Sequence, residues 1–332
     1  MSAFKIHDEG FKSILGSSPK LQLILENTNY PFAHEAGVFI PSDNTLFVTS
    51  NQYTDSSNPT SKKIQICKVV LSCDGDGTAK CEEIFPSSVP MGNGGVNYKN
   101  GVLFCAQGDM ETPSGLAFME TSPPYNSKFL LTSFHGRPFN STNDVVVHSD
   151  GSIWFTDPIY GSEQGIRPPA TLPGQVYRWD VENGGGIRAV ADGFGRCNGI
   201  CFSPDEKTLY VTDSDWIHGD GTTDLTRASS IYAFDVTHYS GQPFLTNRRL
   251  FAFADKGVPD GIKCDTNGNV YSGCGDGVNI WSPGGVLLGR ILIDGGAANL
   301  CFGRNGELFI LNEHKLWRAQ FGDSVKGCLL KI

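Results

Sequence analysis

The stretch Cys197-Asn198-Gly199-Ile200-Cys201-Phe202-Ser203-Pro204-Asp205-Glu206-Lys207-Thr208-Leu209-Tyr210-Val211-Thr212-Asp213 reads as a short apolar run, a polar pause and a second apolar run. Such a pattern is an antiparallel hairpin. The same reading applies from Gly199 to Asp213 and again at Gly37–Ser50, Gly95–Asp109, Asp144–Asp157, Gly261–Gly275 and Asn299–Asn312, which makes six copies. A repeat of this kind decides the fold before any single element does. The pauses are Ser42-Asp43-Asn44, Lys99-Asn100-Gly101, Ser149-Asp150-Gly151, Asp205-Glu206-Lys207, Asn267-Gly268 and Asn305-Gly306. Asn, Asp and Gly there supply the positive φ that tight turns need.

Two further β-like runs follow most hairpins. Gln175–Trp179 and Ile187–Ala191 follow the third; Ser230–Asp235 and Arg249–Phe253 follow the fourth. Each unit is therefore a four-stranded antiparallel sheet. Six of them predict an all-β, six-bladed β-propeller, a ring that leaves only short protected edges. One domain over residues 1–332 is expected. Helical periodicity is weak throughout, with at most a helical turn in the first twenty residues. The last unit lacks an outer strand after Lys315–Gln320; either Leu21–Glu26 or residues 325–332 could supply it.

In a propeller the first strand of each blade lines the central channel. A residue just before that strand faces the channel mouth. Glu35, Asn143, Asn198 and Asp260 hold that place in four blades, Asn299 holds it in the sixth, and Asn93 lies near it in the second. Two carboxylates and neutral amide oxygens converging on one axis form the shell that a hard divalent cation requires. The expected cofactor is calcium, with another divalent cation admissible. No thiolate or imidazole belongs to this ring, which disfavours zinc. His34, a wall histidine, joins Asn93, Tyr160 and Asn299 as expected substrate contacts. Asp144 is read as orienting Asn143. Asp157 and Asp213, at second-strand ends, are read as structural, and Trp154, Trp179, Trp281 and Trp317 as core. The segment from Tyr160 to Arg167 is either a cover for the mouth or a solvated insertion.

Composition excludes several alternatives. The 332 residues carry a formal charge of −9 and no long basic run, which argues against a nucleic-acid partner. No run of eighteen apolar residues is present to span a membrane as a helix. The N-terminus Met-Ser-Ala-Phe-Lys-Ile-His lacks an apolar signal region, so a cytoplasmic protein is expected. The ten cysteines form no C-x-x-C pair. Cys105, Cys201, Cys264, Cys274 and Cys301 sit in strand-like runs as small hydrophobes. Cys67, Cys73 and Cys81 lie on a looser segment where one disulfide could form.

The motifs Phe32-Ala-His34-Glu35-Ala36, Phe139-Asn-Ser-Thr-Asn143-Asp-Val-Val, Cys197-Asn198-Gly-Ile-Cys-Phe-Ser-Pro-Asp205 and Pro259-Asp260-Gly-Ile resemble the senescence-marker-protein/gluconolactonase family over roughly residues 30–315. The His-Glu-Ala form is most similar to its fungal lactonohydrolases. The resemblance implies a six-bladed propeller that binds a divalent cation, usually calcium. It implies metal ligands at Glu35, Asn198 and Asp260. Asn143 would bind metal or substrate, and Asp260 would also donate and accept the proton. Two positions depart from the family pattern. Glu-Gly-Pro is replaced by Glu35-Ala36-Gly37, and an arginine that some sugar lactonases direct at substrate is Ser141 here.

The expected function is therefore metal-dependent hydrolysis of a lactone by a monomer, with Asp260 as catalytic carboxylate and a small cyclic ester as partner. Two rivals keep the propeller. One is a phosphotriesterase-like hydrolase or secondary-metabolism enzyme; the other is a non-catalytic calcium-binding protein.

Overall fold

The computed structural model describes residues 3–55, 58–72, 78–182 and 184–332. It is a six-bladed β-propeller. Blade 1 comprises Glu35–Ile40, Thr45–Thr49, Ile66–Leu71 and Ala79–Ile84; blade 2 comprises Gly92–Tyr98, Gly101–Ala106, Gly115–Glu120 and Ser127–Leu131. Blade 3 runs Val145–Val147, Ile153–Asp157, Gln175–Asp180 and Gly186–Ala191. Blade 4 runs Cys197–Phe202, Thr208–Asp213, Ser230–Tyr239 and Gln242–Phe253. Blade 5 runs Ile262–Cys264, Val270–Cys274, Gly277–Trp281 and Leu287–Leu292. Blade 6 runs Asn299–Phe302, Glu307–Asn312 and Lys315–Gln320, and its outer strand is Lys20–Glu26, paired from Lys20 with Gln320 to Glu26 with Lys315.

The N-terminal segment thus closes the ring, and residues 325–332 do not. A fifth strand on blade 5, Phe4–Ile6, has no counterpart in the sequence reading. The helical turn expected near the N-terminus is Gly10–Leu15, anchored by the fully buried Phe11.

Each of the six predicted turns contains a residue with positive φ: Asn44, Lys99, Gly151, Glu206, Gly268 and Asn305. In two of them a lysine or a glutamate adopts it, so the turn is imposed by the strands it joins.

The core lies between blades. Six buried clusters each combine two neighbouring blades. The cluster joining blade 6 to blade 1 contains Phe309 and Leu311 with Phe39, Leu46 and Val48. The rings of Phe39 and Phe309 stack at 5.9 Å. Burying every inter-sheet face this way needs no central core, and it leaves an axial channel lined by six first strands.

Cys105, Cys201, Cys264, Cys274 and Cys301 are buried in their strands, Cys81 is exposed on the outer strand of blade 1, and all described cysteines, Cys67 and Cys81 included, are free thiols. Cys73 lies outside the described residues. Among the described residues no helix is long and apolar enough to cross a membrane.

Candidate metal centre

One mouth of the channel opens into a cavity of about 420 Å³. Glu35, Asn143, Asn198, Asp260, His34, Asn93 and Tyr160 all line it. Glu35 is 2 % exposed, and Asn143 and Asn198 are 6 % exposed. Single oxygens of Glu35 and Asp260 and one ring nitrogen of His34 lie within 4.8 Å of one another. The imidazole, left out of the oxygen ring by the sequence reading, faces the same space.

Repeated contacts fix this arrangement. Second-strand threonines hold the next blade's mouth residue by its carbonyl. Thr49 Oγ1 donates to Asn93 O at 3.1 Å, Thr156 Oγ1 to Asn198 O at 2.7 Å and Thr212 Oγ1 to Asp260 O at 2.9 Å. Second-strand aspartates tie down the approaching loop. Asp157 accepts from the N–H groups of Asn140 and Ser141, three and two residues before Asn143. Asp213 accepts from Gly195 and Arg196 at the same offsets before Asn198. These aspartates are structural, as expected, and what they support is the centre itself.

The glycines after the mouth residues have a packing reason. A Cβ on Gly94 would strike the backbone of Asn143 and Asp144. One on Gly199 would overlap the carbonyl of Asp260, and one on Gly261 would overlap the amide of Asn299. None of the three has positive φ. Asn-Gly and Asp-Gly here are therefore close approaches of neighbouring strands, not turns.

Asn299 does not line the cavity. It is fully buried, accepts from Leu300 N at 2.7 Å and donates through Nδ2 to Glu35 Oε2 at 2.6 Å. Asp144 makes the corresponding bond to Val145 N at 2.8 Å. Asn299 is thus the counterpart of Asp144, and Ala298 takes the mouth position in blade 6. A one-residue shift along a strand moves a side chain from one face to the other. Asp144 also accepts from Ile200 N at 3.1 Å, stitching blade 3 to blade 4.

The segment from Tyr160 begins as a short helix, Tyr160–Glu163, and contributes Tyr160 and Gln164 to the cavity wall. Tyr160 Oη donates to Ser214 O and Ile217 O, each at 3.4 Å. Glu163 pairs with Arg196. Arg167 donates to the carbonyls of Asn140, Asp109 and Thr112 at 3.0, 2.6 and 2.8 Å. An insertion held this way is not a solvated one.

Burial raises the Glu35 carboxyl well above its usual range, and Asp260 raises it further. Asp260 is raised to about 6, chiefly by burial, although His34 pulls it down. His34 Nδ1 lies 2.8 Å from Glu313 Oε1. Burial opposes a charge on the imidazole, yet Glu313, with Glu35 and Asp260, raises it to about 10.

Three buried oxygens, Asn143 Oδ1, Asn198 Oδ1 and Asp260 Oδ1, have no hydrogen-bond partner among the described residues. Leaving such atoms unsatisfied is costly. Three orphaned oxygens, one of them on Asp260, beside the Glu35 carboxylate that Asp260 repels fit a hard divalent cation.

Several wall residues escaped the sequence reading: Asn51, Gln52, Gln107, Trp216 and Glu313. All follow second strands. In a hairpin the end of the second strand returns beside the start of the first. That geometry was the available signal.

The family profile described as SMP-30/Gluconolactonase/LRE-like region matches residues 26–314. Lactonohydrolase oryL of Aspergillus oryzae is 26 % identical over an alignment covering 94 % of this chain and 72 % of that protein. A gluconolactonase of Zymomonas mobilis is 32 % identical, with 61 % and 57 % covered. A solved structure of a gluconolactonase from Xanthomonas campestris superimposes with a TM-score of 0.72 at 26 % identity, covering 96 % of this chain and 94 % of that one.

Proposed function

This chain belongs to the SMP-30/gluconolactonase/LRE-like family, and from that membership we infer that it is a divalent-metal-dependent hydrolase opening a cyclic ester. The observation that carries the metal requirement is the set of three orphaned buried oxygens on Asn143, Asn198 and Asp260. With Glu35 they make an all-oxygen donor set, and calcium is the cation that suits it best. When bound, the cation supplies Lewis acidity toward the ester carbonyl and stabilises charge that builds on its oxygen.

The chain's own groups do the rest. Asp260 takes a proton from the attacking water as the water oxygen bonds to the carbonyl carbon. It returns that proton to the ring oxygen as the carbon–oxygen bond breaks, leaving a hydroxy acid. Asn299 holds the Glu35 carboxylate by its 2.6 Å bond, which makes it a positioning residue. Ser214 accepts from Asn198 Nδ2 at 3.2 Å and donates to Pro259 O at 2.8 Å, so it couples two ligand positions. His34, Asn93 and Tyr160 are wall groups that contact substrate. Trp216 Nε1 and Gln52 Oε1 are buried without partners among the described residues. They offer a donor and an acceptor to a lactone bearing polar substituents. Ring closure by residues 20–26 supports reading residues 1–332 as one domain; that it acts as a monomer is part of the proposal.

The test is metal analysis coupled to turnover on a lactone panel, with an organophosphate panel alongside. Chelation is expected to abolish lactone opening, and calcium to restore it better than zinc. Full turnover by metal-free protein would overturn the proposal.

A further inference from the structure

Each first strand serves both ends of the channel. Glu35, Asn93, Asn143, Asn198 and Asp260 face the metal centre, and the residues that follow them face away. The far half encloses a second cavity of about 440 Å³ that shares no lining residue with the first. Its walls include Val38, Val146, Ile200, Phe202 and Phe302. The segment 327–332 covers it from outside. Cys328 N donates to Cys264 O at 2.9 Å, and Gly327 packs so closely on Phe302 that a Cβ would meet the ring at 2.7 Å.

Of the charged residues lining this chamber, Asp205, Glu206, Lys263 and Lys331, only Lys263 comes from a first strand; it lies on blade 5 with 18 % of its side chain exposed. Its Nζ lies 3.8 Å from Asp144 Oδ2, an ion pair beyond hydrogen-bond reach. Asp144 is already satisfied by Val145 N and Ile200 N. The ammonium has three donors and hydrogen-bonds to no described residue. The proposed hydrolysis does not use it. A half-buried ammonium with donors free beside apolar walls is best completed by an anionic acceptor.

We propose that the far chamber is a binding site for a small amphipathic monoanion, an aliphatic carboxylate whose head accepts from Lys263 and whose chain lies along the apolar walls. At about 30 Å³ per heavy atom the chamber has room for roughly fifteen such atoms, enough for a medium-chain acid. A phosphate dianion would bury more charge than one ammonium offsets. A neutral lipid would leave the ammonium's donors unmet. The inference is independent of the hydrolase reading.

The experiment is calorimetric titration of the calcium-loaded protein with octanoate, using 1-octanol and acetate as companion probes. Saturable one-to-one octanoate binding is expected. Lys263→Met should weaken it by about tenfold or more, the scale of a lost charged hydrogen bond, without weakening 1-octanol. Leu329→Glu, at an exposed position on the chamber's covering segment, should also weaken octanoate, and it decides the matter if Lys263→Met fails to fold. Acetate competing equally well would place the anion on the metal centre and overturn the proposal. So would the absence of saturable octanoate heat below about 1 mM, or octanoate affinity unchanged in the folded variants.

Discussion

At the scale of single residues, the centre separates groups that do chemistry from groups that hold them. Asp260→Asn keeps size and one oxygen, so the cation should stay at least partly bound. Loss of the proton acceptor should lower kcat by about 10²–10⁴-fold at saturating calcium. Turnover near wild type, with bound metal measured in the same sample, would remove Asp260 from the proton path. Asn299→Ala should do less to kcat and more to the metal, weakening its affinity by about 10–100-fold because Glu35 loses its 2.6 Å donor. Direct metal titration reads this without turnover. The carboxylate and amide positions were legible because they recur at the start of the first strands of blades 1 to 5. Asn299 was misplaced by one residue because blade 6 has Ala298 at the mouth position, and composition gave no warning of the slip. Glu313 and Trp216 were not legible, since second-strand ends share a location and no common residue type.

At the scale of elements, neighbouring strands position one another. Gly199 is where the first strand of blade 4 meets the carbonyl of Asp260. Gly199→Ala should destabilise the fold by about 1–3 kcal/mol, the usual range for overpacking, and weaken metal binding with it. A thermal melt and a metal titration on one preparation would show both, and unchanged values would refute the close-approach account. The turn of blade 3 gives a pH-dependent case. Asp150 is lowered to about 2, against the cost of burial, by bonds from Ser152 and the neighbouring His148. A depressed carboxyl stabilises above its ordinary value near 3.8 and loses that contribution as pH falls through about 2. Asp150→Asn should therefore lower the melting temperature at neutral pH, and the difference should shrink toward zero near the lower value. Such turns were easy to read because polar pauses punctuate apolar runs. The partners of their side chains were not, because they come from other strands.

At the scale of the whole molecule, the metal-free centre stores repulsion. Asp260 is raised to about 6, so the folded, metal-free protein holds a proton there that the unfolded chain releases near 3.8. That contribution to stability is present below the lower value and is lost as pH rises through about 6. Calcium should cancel the loss. At a hundred times its Kd it adds about 2.7 kcal/mol, which is roughly 4 °C at about 2.1 cal/mol/K per residue. Scanning calorimetry at neutral pH with and without chelator checks it, and identical melts would argue against a resident cation. Six blades were countable in the sequence; the strand that joins the last to the first was one of two candidates, because pairing partners so far apart leave no local mark. The seam also bears on biosynthesis. Lys20–Glu26 emerges from the ribosome about 290 residues ahead of Lys315–Gln320. At about 5–20 residues per second it waits on the order of 15–60 s for its partner. For that interval its leucine-bearing edge is open to any other unpaired strand nearby. A message broken off before the final blade would yield a chain that keeps this edge permanently, so translation itself decides whether the nascent protein is sealed or sticky.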